Sequence, residues 1–290
     1  MRFFLVISVL LFSVACVPSK KKESATVGAI NRESPYLWAD YAAPKTLRIS
    51  SDFSADEVTN ITAMSTAWKS SVTDQKTFFN YGATTPEITN SLSNMDSMLD
   101  STLGVYKTIN WPSSLPSSAL AVTQIFGRRH NVGTATEFVD IEHADILVNY
   151  DIHSFDTADS GSGYDLRTVV LHEMGHFIGL QHKSTSSNRT NSVMFPSISS
   201  SEEKRAPKAI DIADISAKYG IPISSSGGGV SSAVIKEESP VVYEANPQDP
   251  GEPVKILIEL HADGECVHKI DGVLTGRHLD FGHFETDSDS

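Results

Sequence analysis

Residues 172–182 read His172-Glu173-Met174-Gly175-His176-Phe177-Ile178-Gly179-Leu180-Gln181-His182. At 3.6 residues per helical turn, His172 and His176 stand one turn apart on the same helix face. Two imidazoles placed in that way can both reach one Zn²⁺ at about 2.0–2.1 Å. Glu173 lies beside the first of them and can reach a metal-bound water rather than the metal itself. Gly179 is where the helix can end in a left-handed turn, a conformation that a Cβ resists. Such a turn redirects the chain so that His182 can approach the same ion from outside the helix. Three neutral imidazoles leave a fourth position for water, which separates a catalytic zinc site from a closed structural one. Five fixed residues in this spacing arise by chance in roughly 1 in 10,000 chains of this composition or fewer.

Working outward, Asp165 is a plausible N-cap for a helix running to Phe177. Ala119–Phe126 and Ala144–Tyr150 are apolar strand candidates, and Thr46–Ser50 alternates as a strand would. Phe78 and Phe79 suggest another strand, and residues 86–99 a polar helix or loop. Ser54 and Glu57 form a possible capping box for a helix to about Val72, with Val58, Ile61, Ala63, Met64 and Trp68 as its apolar stripe. Ile212, Ile215 and Tyr219 mark one face of a last helix, stopped by Gly220 and Pro222.

The extended histidine motif resembles that of the metzincin zinc endopeptidases, and within them the matrixin-like members. Ser192-Val193-Met194-Phe195-Pro196 is similar to the turn that places a Met beneath the metal in that family. The resemblance covers roughly residues 45–220 and is specific over 165–196. It implies an α/β (α+β) domain with a twisted mixed sheet and an active-site helix. It further implies His172, His176 and His182 as ligands of a catalytic Zn²⁺, Glu173 as general base and Met194 as the base of the site. The implied activity is hydrolysis of peptide bonds in a protein or peptide substrate, which would pair in extended form with an exposed edge strand of the sheet. A gluzincin-type site would take its third ligand from a Glu on a later helix, so His182 and Met194 argue against it.

Three features depart from the matrixin pattern. Lys183 stands between the third His and Ser184, and Ile210 stands where the final helix would carry an Asp. No Cys lies between Cys16 and Cys266, so a cysteine upstream of the domain cannot silence the zinc. Cys266 reads better as a buried or spare thiol than as such a latch. Asp151, His153, Asp156 and Asp159 populate an acidic loop over 151–163, which reads as solvated or as a Ca²⁺ site. His261, His268, His278 and His283 have no ligand spacing, and surface histidines are the default reading.

The chain has 290 residues and a formal charge of −13, from 23 basic and 36 acidic side chains without a basic block. That argues against a nucleic-acid binder, which needs clustered Lys and Arg. Residues 1–16, MRFFLVISVLLFSVAC, combine Arg2, an apolar run too short to span a bilayer and a small-residue cleavage region. They read as a signal peptide, with Cys16 as a lipidated first residue or as an incidental Cys after ordinary cleavage. Both routes make the protein extracytoplasmic, either secreted or anchored in a bacterial envelope through Cys16. The expected organisation is a signal peptide (1–16), a tether (17–44), a catalytic domain (45–222), a flexible linker with a Ser-Gly run (223–253) and a small β-rich tail (254–290). The alternative function is a surface interaction lipoprotein that keeps the protease fold and works through its tail.

Overall fold

The computed structural model describes residues 35–39, 44–71, 77–86, 88, 92, 94–158, 162–200, 202–221, 244–246, 248–262 and 266–278. The expectations for the signal peptide, Cys16, most of the tether and the Ser-Gly run lie outside the described residues. In chain order the strands are β1 (Tyr36–Leu37), β2 (Lys45–Ile49), β3 (Phe79–Tyr81), β4 (Leu103–Thr108), β5 (Ala119–His130), β6 (Phe138–Asn149), β7 (Phe155–Asp156), β8 (Tyr164–Asp165), β9 (Glu252–His261), β10 (Cys266–Ile270) and β11 (Val273–His278). The helices are α1 (Ala55–Ser71), α2 (Leu166–Phe177) and α3 (Ala209–Tyr219). Residues 95–98, expected as helix or loop, form a single 3₁₀ turn.

The runs Ala119–Ile125 and Ala144–Asn149 are buried without a break. Continuous burial belongs to strands covered on both faces, and β5 and β6 form the centre of a nine-stranded sheet ordered β11-β10-β9-β5-β6-β4-β2-β3, with β1 also on β6. The sheet is mixed, as expected. β1, β2, β3, β4 and β6 pair in parallel, whereas β5, β9, β10 and β11 join by antiparallel ladders. One face packs on α1 and α2 through Ile125, Ile146, Val148, Ile256 and Ile258. Trp111, Leu115, Met95 and Met98 cover the other face.

Two expected boundaries are replaced. The tail is not a module of its own, because β9 pairs with β5 from Ala119↔His261 to Arg129↔Glu252. Its alternating Ile256, Ile258 and Leu260 extend the domain's core, and burying each stabilises by roughly 1.5–3 kcal/mol. The end of the expected tether is likewise structural. Tyr36, Leu37 and Trp38 are buried, and Trp38 Nε1 donates to the Phe177 carbonyl at 2.8 Å.

Local signals explain the helices. Ser54 and Glu57 close the capping box on α1, with Ser54 N–H donating to Glu57 at 2.7 Å and Glu57 N–H to Ser54 Oγ at 3.3 Å. Ile61, Met64 and Trp68 face the core, while Ala63, two residues past Ile61 and so about 200° round the helix, is exposed. Asp165 caps α2 by accepting from the Thr168 N–H at 2.9 Å, and it also accepts from Arg205 Nη2 at 2.8 Å.

Burial alone would raise the Asp165 carboxyl, but the Arg205 and Thr168 hydrogen bonds outweigh it and hold the group below its ordinary value. A carboxyl lowered in the folded state contributes stability above its unfolded value, and that contribution is lost as pH falls through the folded value. Asp165→Ala is therefore expected to reduce stability by about 1–2 kcal/mol at pH 7. The gap between the two proteins should narrow below about pH 4. Urea denaturation at pH 7 and pH 3 measures this, and an equally large gap at both pH values would refute the ionic account.

Candidate metal centre

The histidine stretch folds as its spacing predicts, into the C-terminal half of α2 and the turn after it. His172 and His176 are fully buried one turn apart, and Gly179 adopts φ +92°. A Cβ at Gly179 would lie 2.5 Å from the Tyr36 carbonyl oxygen, so both the conformation and the space require glycine. The turn brings His182 back against the helix. Nε2 of His176 is 3.0 Å from Nε2 of both His172 and His182, and the latter two are 3.2 Å apart.

The other ring nitrogens fix which atoms carry protons. His172 Nδ1 donates to the Val193 carbonyl at 2.8 Å, and His176 Nδ1 donates to the Leu180 carbonyl at 2.9 Å. Their Nε2 atoms are then bare lone pairs. His182 Nδ1 lies 2.7 Å from His268 Nε2, so donation to His268 leaves its Nε2 bare as well. Three imidazole nitrogens converging in this way suit a shared metal ion. Tetrahedral ligation at about 2.05 Å spaces donor nitrogens by about 3.3 Å, close to the spacing found. Burial lowers His172 to about 3, so it is neutral at pH 7, as a ligand must be.

Glu173 is fully buried beside this cluster. Thr123 Oγ1, on β5, donates to Glu173 Oε2, while Oε1 has no partner among the described residues. Burial raises the carboxyl to about 8, with the Thr123 hydrogen bond opposing the rise. A divalent cation at the three nitrogens would pull it back toward the ionised form. The donor set and the orphaned Oε1 both fit a zinc ion with a water.

Behind the histidines, Met194 packs on α2. A Cβ at Gly175 would lie 2.3 Å from Met194 Sδ and 3.2 Å from Trp68. The chain at Met194 is held from two directions. Its carbonyl accepts the Lys183 N–H at 2.9 Å, so the inserted Lys183 serves as a backbone tie. Asp211, fully buried on α3, accepts from Ser192 Oγ at 2.5 Å, Val193 N–H at 2.9 Å and Lys208 N–H at 2.8 Å. Since Val193 also receives the His172 proton, Asp211 anchors a ligand through one intervening residue. The Tyr36 hydroxyl donates to Leu180 O at 2.7 Å, the same carbonyl that orients His176. Sequence reading passed over Tyr36, Thr123 and the role of Asp211, because each acts across the sheet or between helices and no local spacing marks it.

The tail reaches the cluster as well. Cys266, His268 and Ile270 alternate onto one face of β10, and ligand atoms of His182, Cys266 and His268 lie within 4.8 Å of one another. His261 and His268 are buried, contrary to the surface default, because β9 and β10 lie inside the sheet. Cys266 is buried, as expected. In the acidic loop, Asp151 accepts from Trp111 N–H at 3.2 Å and Asp156 from Gly163 N–H at 2.5 Å, and Asp159 lies outside the described residues. A cavity of about 310 Å³ is lined by residues of β5, β6 and β9, among them Phe126, His143 and Val254, and none of the clustered histidines lines it. No described helix is long and apolar enough to cross a membrane.

Residues 124–220 match the matrixin family model. No curated protein matches the chain significantly. The matched segment contains β6, α2 and α3 with most of β5, and ends before β9. Family match, mixed sheet and convergent histidines coincide on one stretch of chain, which is similar to a matrixin domain, and together they support a zinc metalloendopeptidase.

Proposed function

We propose that the protein is an extracytoplasmic endopeptidase in which His172, His176 and His182 hold the catalytic Zn²⁺ and Glu173 is the general base. The observation that carries this reading is the convergence of three Nε2 atoms next to a buried carboxyl group whose Oε1 has no partner among the described residues. Bound there, Zn²⁺ would polarise the scissile carbonyl and lower the pKa of a water to about 7. Glu173 Oε1 takes the proton of the attacking water and returns it to the leaving nitrogen. Thr123 holds Oε2, which keeps the carboxylate from rotating away. Val193 and Leu180 hold the tautomers of His172 and His176, and Met194 supports the helix between them. The substrate is a protein or peptide. The signal sequence exports the chain, and Cys16 is the proposed membrane anchor.

The rival reading is a surface interaction lipoprotein that keeps the protease fold and works through its tail. The strands of residues 252–278 belong to the main sheet, which supports the peptidase reading over that one.

Residues 17–290 are expected to bind one Zn²⁺ per chain. His176→Ala should weaken binding by more than about 100-fold, the upper end for losing a group that only orients a ligand. Metal analysis and competition with a chromogenic chelator measure both. Unchanged affinity after removal of all three histidines would overturn the assignment.

A further inference from the structure

β5 is the strand that touches the reactive carboxylate, through Thr123. An extended peptide reaching Glu173 by strand addition would need the edge of β5 opposite β6. That edge is occupied. β9 runs antiparallel along it, and Ile258 stands directly across the ladder from Thr123. Ile256 and Ile258 bury their side chains toward α2, as alternate residues of a strand-added peptide fill pockets. β10 continues the closure by seating His268 against His182 at 2.7 Å. On the opposite face, Glu259 is buried and joined to Lys269 and to His261, at 3.2 Å from the latter, which ties β9 to its neighbour. Both β9 and β10 lie beyond residue 220, where the matrixin match ends.

We propose that residues 252–278 form a displaceable plug, a segment of the chain's own tail that competes with substrate for β5 and closes the histidine cluster. The proposal rests on the peptidase reading above and adds its regulation. The described state is then the closed one, and cleavage requires β9 and β10 to leave β5 while β1 to β6 and the helices stay folded. A partner or protease that releases the tail would switch the enzyme on. Latency would come from the C-terminal side, where the sequence alone favoured a spare thiol.

Hydrogen exchange on zinc-loaded residues 17–290 tests this without relying on activity. Peptides from β9 and β10 should exchange at least about tenfold faster than those from β6 and α2, through a sub-global opening. Exchange of β9 only together with β6 and α2, in one global event, would overturn the plug.

A second test uses the double variant Ile256→Asp/Ile258→Asp. Zinc extraction by EDTA should quicken at least about tenfold, because a weakened strand spends more time open, and casein cleavage should rise with it. Adding Glu173→Ala should abolish cleavage and leave the extraction rate high. Faster extraction without cleavage would support the plug and count against the peptidase reading. Unchanged extraction and cleavage in a folded, zinc-bound variant would overturn the plug, as would full activity in the wild type. If the variant fails to fold, the exchange measurement on the wild type decides.

Discussion

Glu173→Ala should lower kcat/KM for casein by about 10²–10⁴-fold, the usual range for removing a general acid–base group, with zinc content unchanged. The zinc content is the discriminating half of this result. Glu173 Oε2 is engaged by Thr123 rather than by the imidazole cluster, so losing the carboxylate removes no nitrogen donor. Both proteins are best compared in the Ile256→Asp/Ile258→Asp background as well, where the substrate edge is expected to be open. Alanine fits the space left behind, and the buried carboxylate it replaces is itself disfavoured by burial. Stability should therefore hold or rise slightly. A variant that kept cleavage with its zinc would remove Glu173 from the mechanism, and one that lost zinc would make it a ligand.

Asp211→Ala is expected to destabilise the domain by about 2–4 kcal/mol, since it strands two buried donors at about 1–3 kcal/mol each, and a part-buried third, with some relaxation. The donors are Ser192 Oγ–H, Val193 N–H and Lys208 N–H, and two of them belong to the turn that carries Met194. Val193 also accepts the His172 proton. Slack in this turn should pass to a metal ligand and weaken zinc binding by about 10–100-fold, as losing an orienting group does. Asp211→Asn tests the route. It keeps one acceptor oxygen but turns an N–H₂ toward a donor, so it should recover part of the stability and part of the affinity. Thermal unfolding and chelator competition on both variants supply the readouts. Equal zinc affinity in wild type and Asp211→Ala would confine Asp211 to stability alone.

The tail shows how a correct local reading can miss its consequence. Val254–Leu260 was legible as a strand because its apolar residues alternate, and Asp271-Gly272 was legible as a turn, which the left-handed φ values of 49° and 78° bear out. Alternation identifies a strand with a face to bury but does not name the neighbour. Whether that face completes a module of its own or docks on β5 depends on which edge is open, and a sequence does not display its edges. His268 was hidden for the same reason. Its two-residue spacing from Cys266 puts both on one face of a strand, yet only the β9–β10 ladder brings that face to His182.

By itself the sequence determined what depends on short-range geometry. The helical repeat sets His172 and His176 on one face, Asp165 starts α2, Gly179 permits the turn to His182, and Ser54 with Glu57 caps α1. These follow from bond rotations and hydrogen bonds within a few residues, and they suffice to mark a zinc site. Only the tertiary structure decided that Thr123 holds Glu173, that Asp211 and Tyr36 fix the carbonyls orienting two histidines, and that β9 covers the edge of β5. Those contacts join residues 18 to 144 positions apart. They arise because strand pairing and core burial select partners by shape and hydrogen-bonding capacity across the whole chain, whereas a local motif records only its own turn of helix.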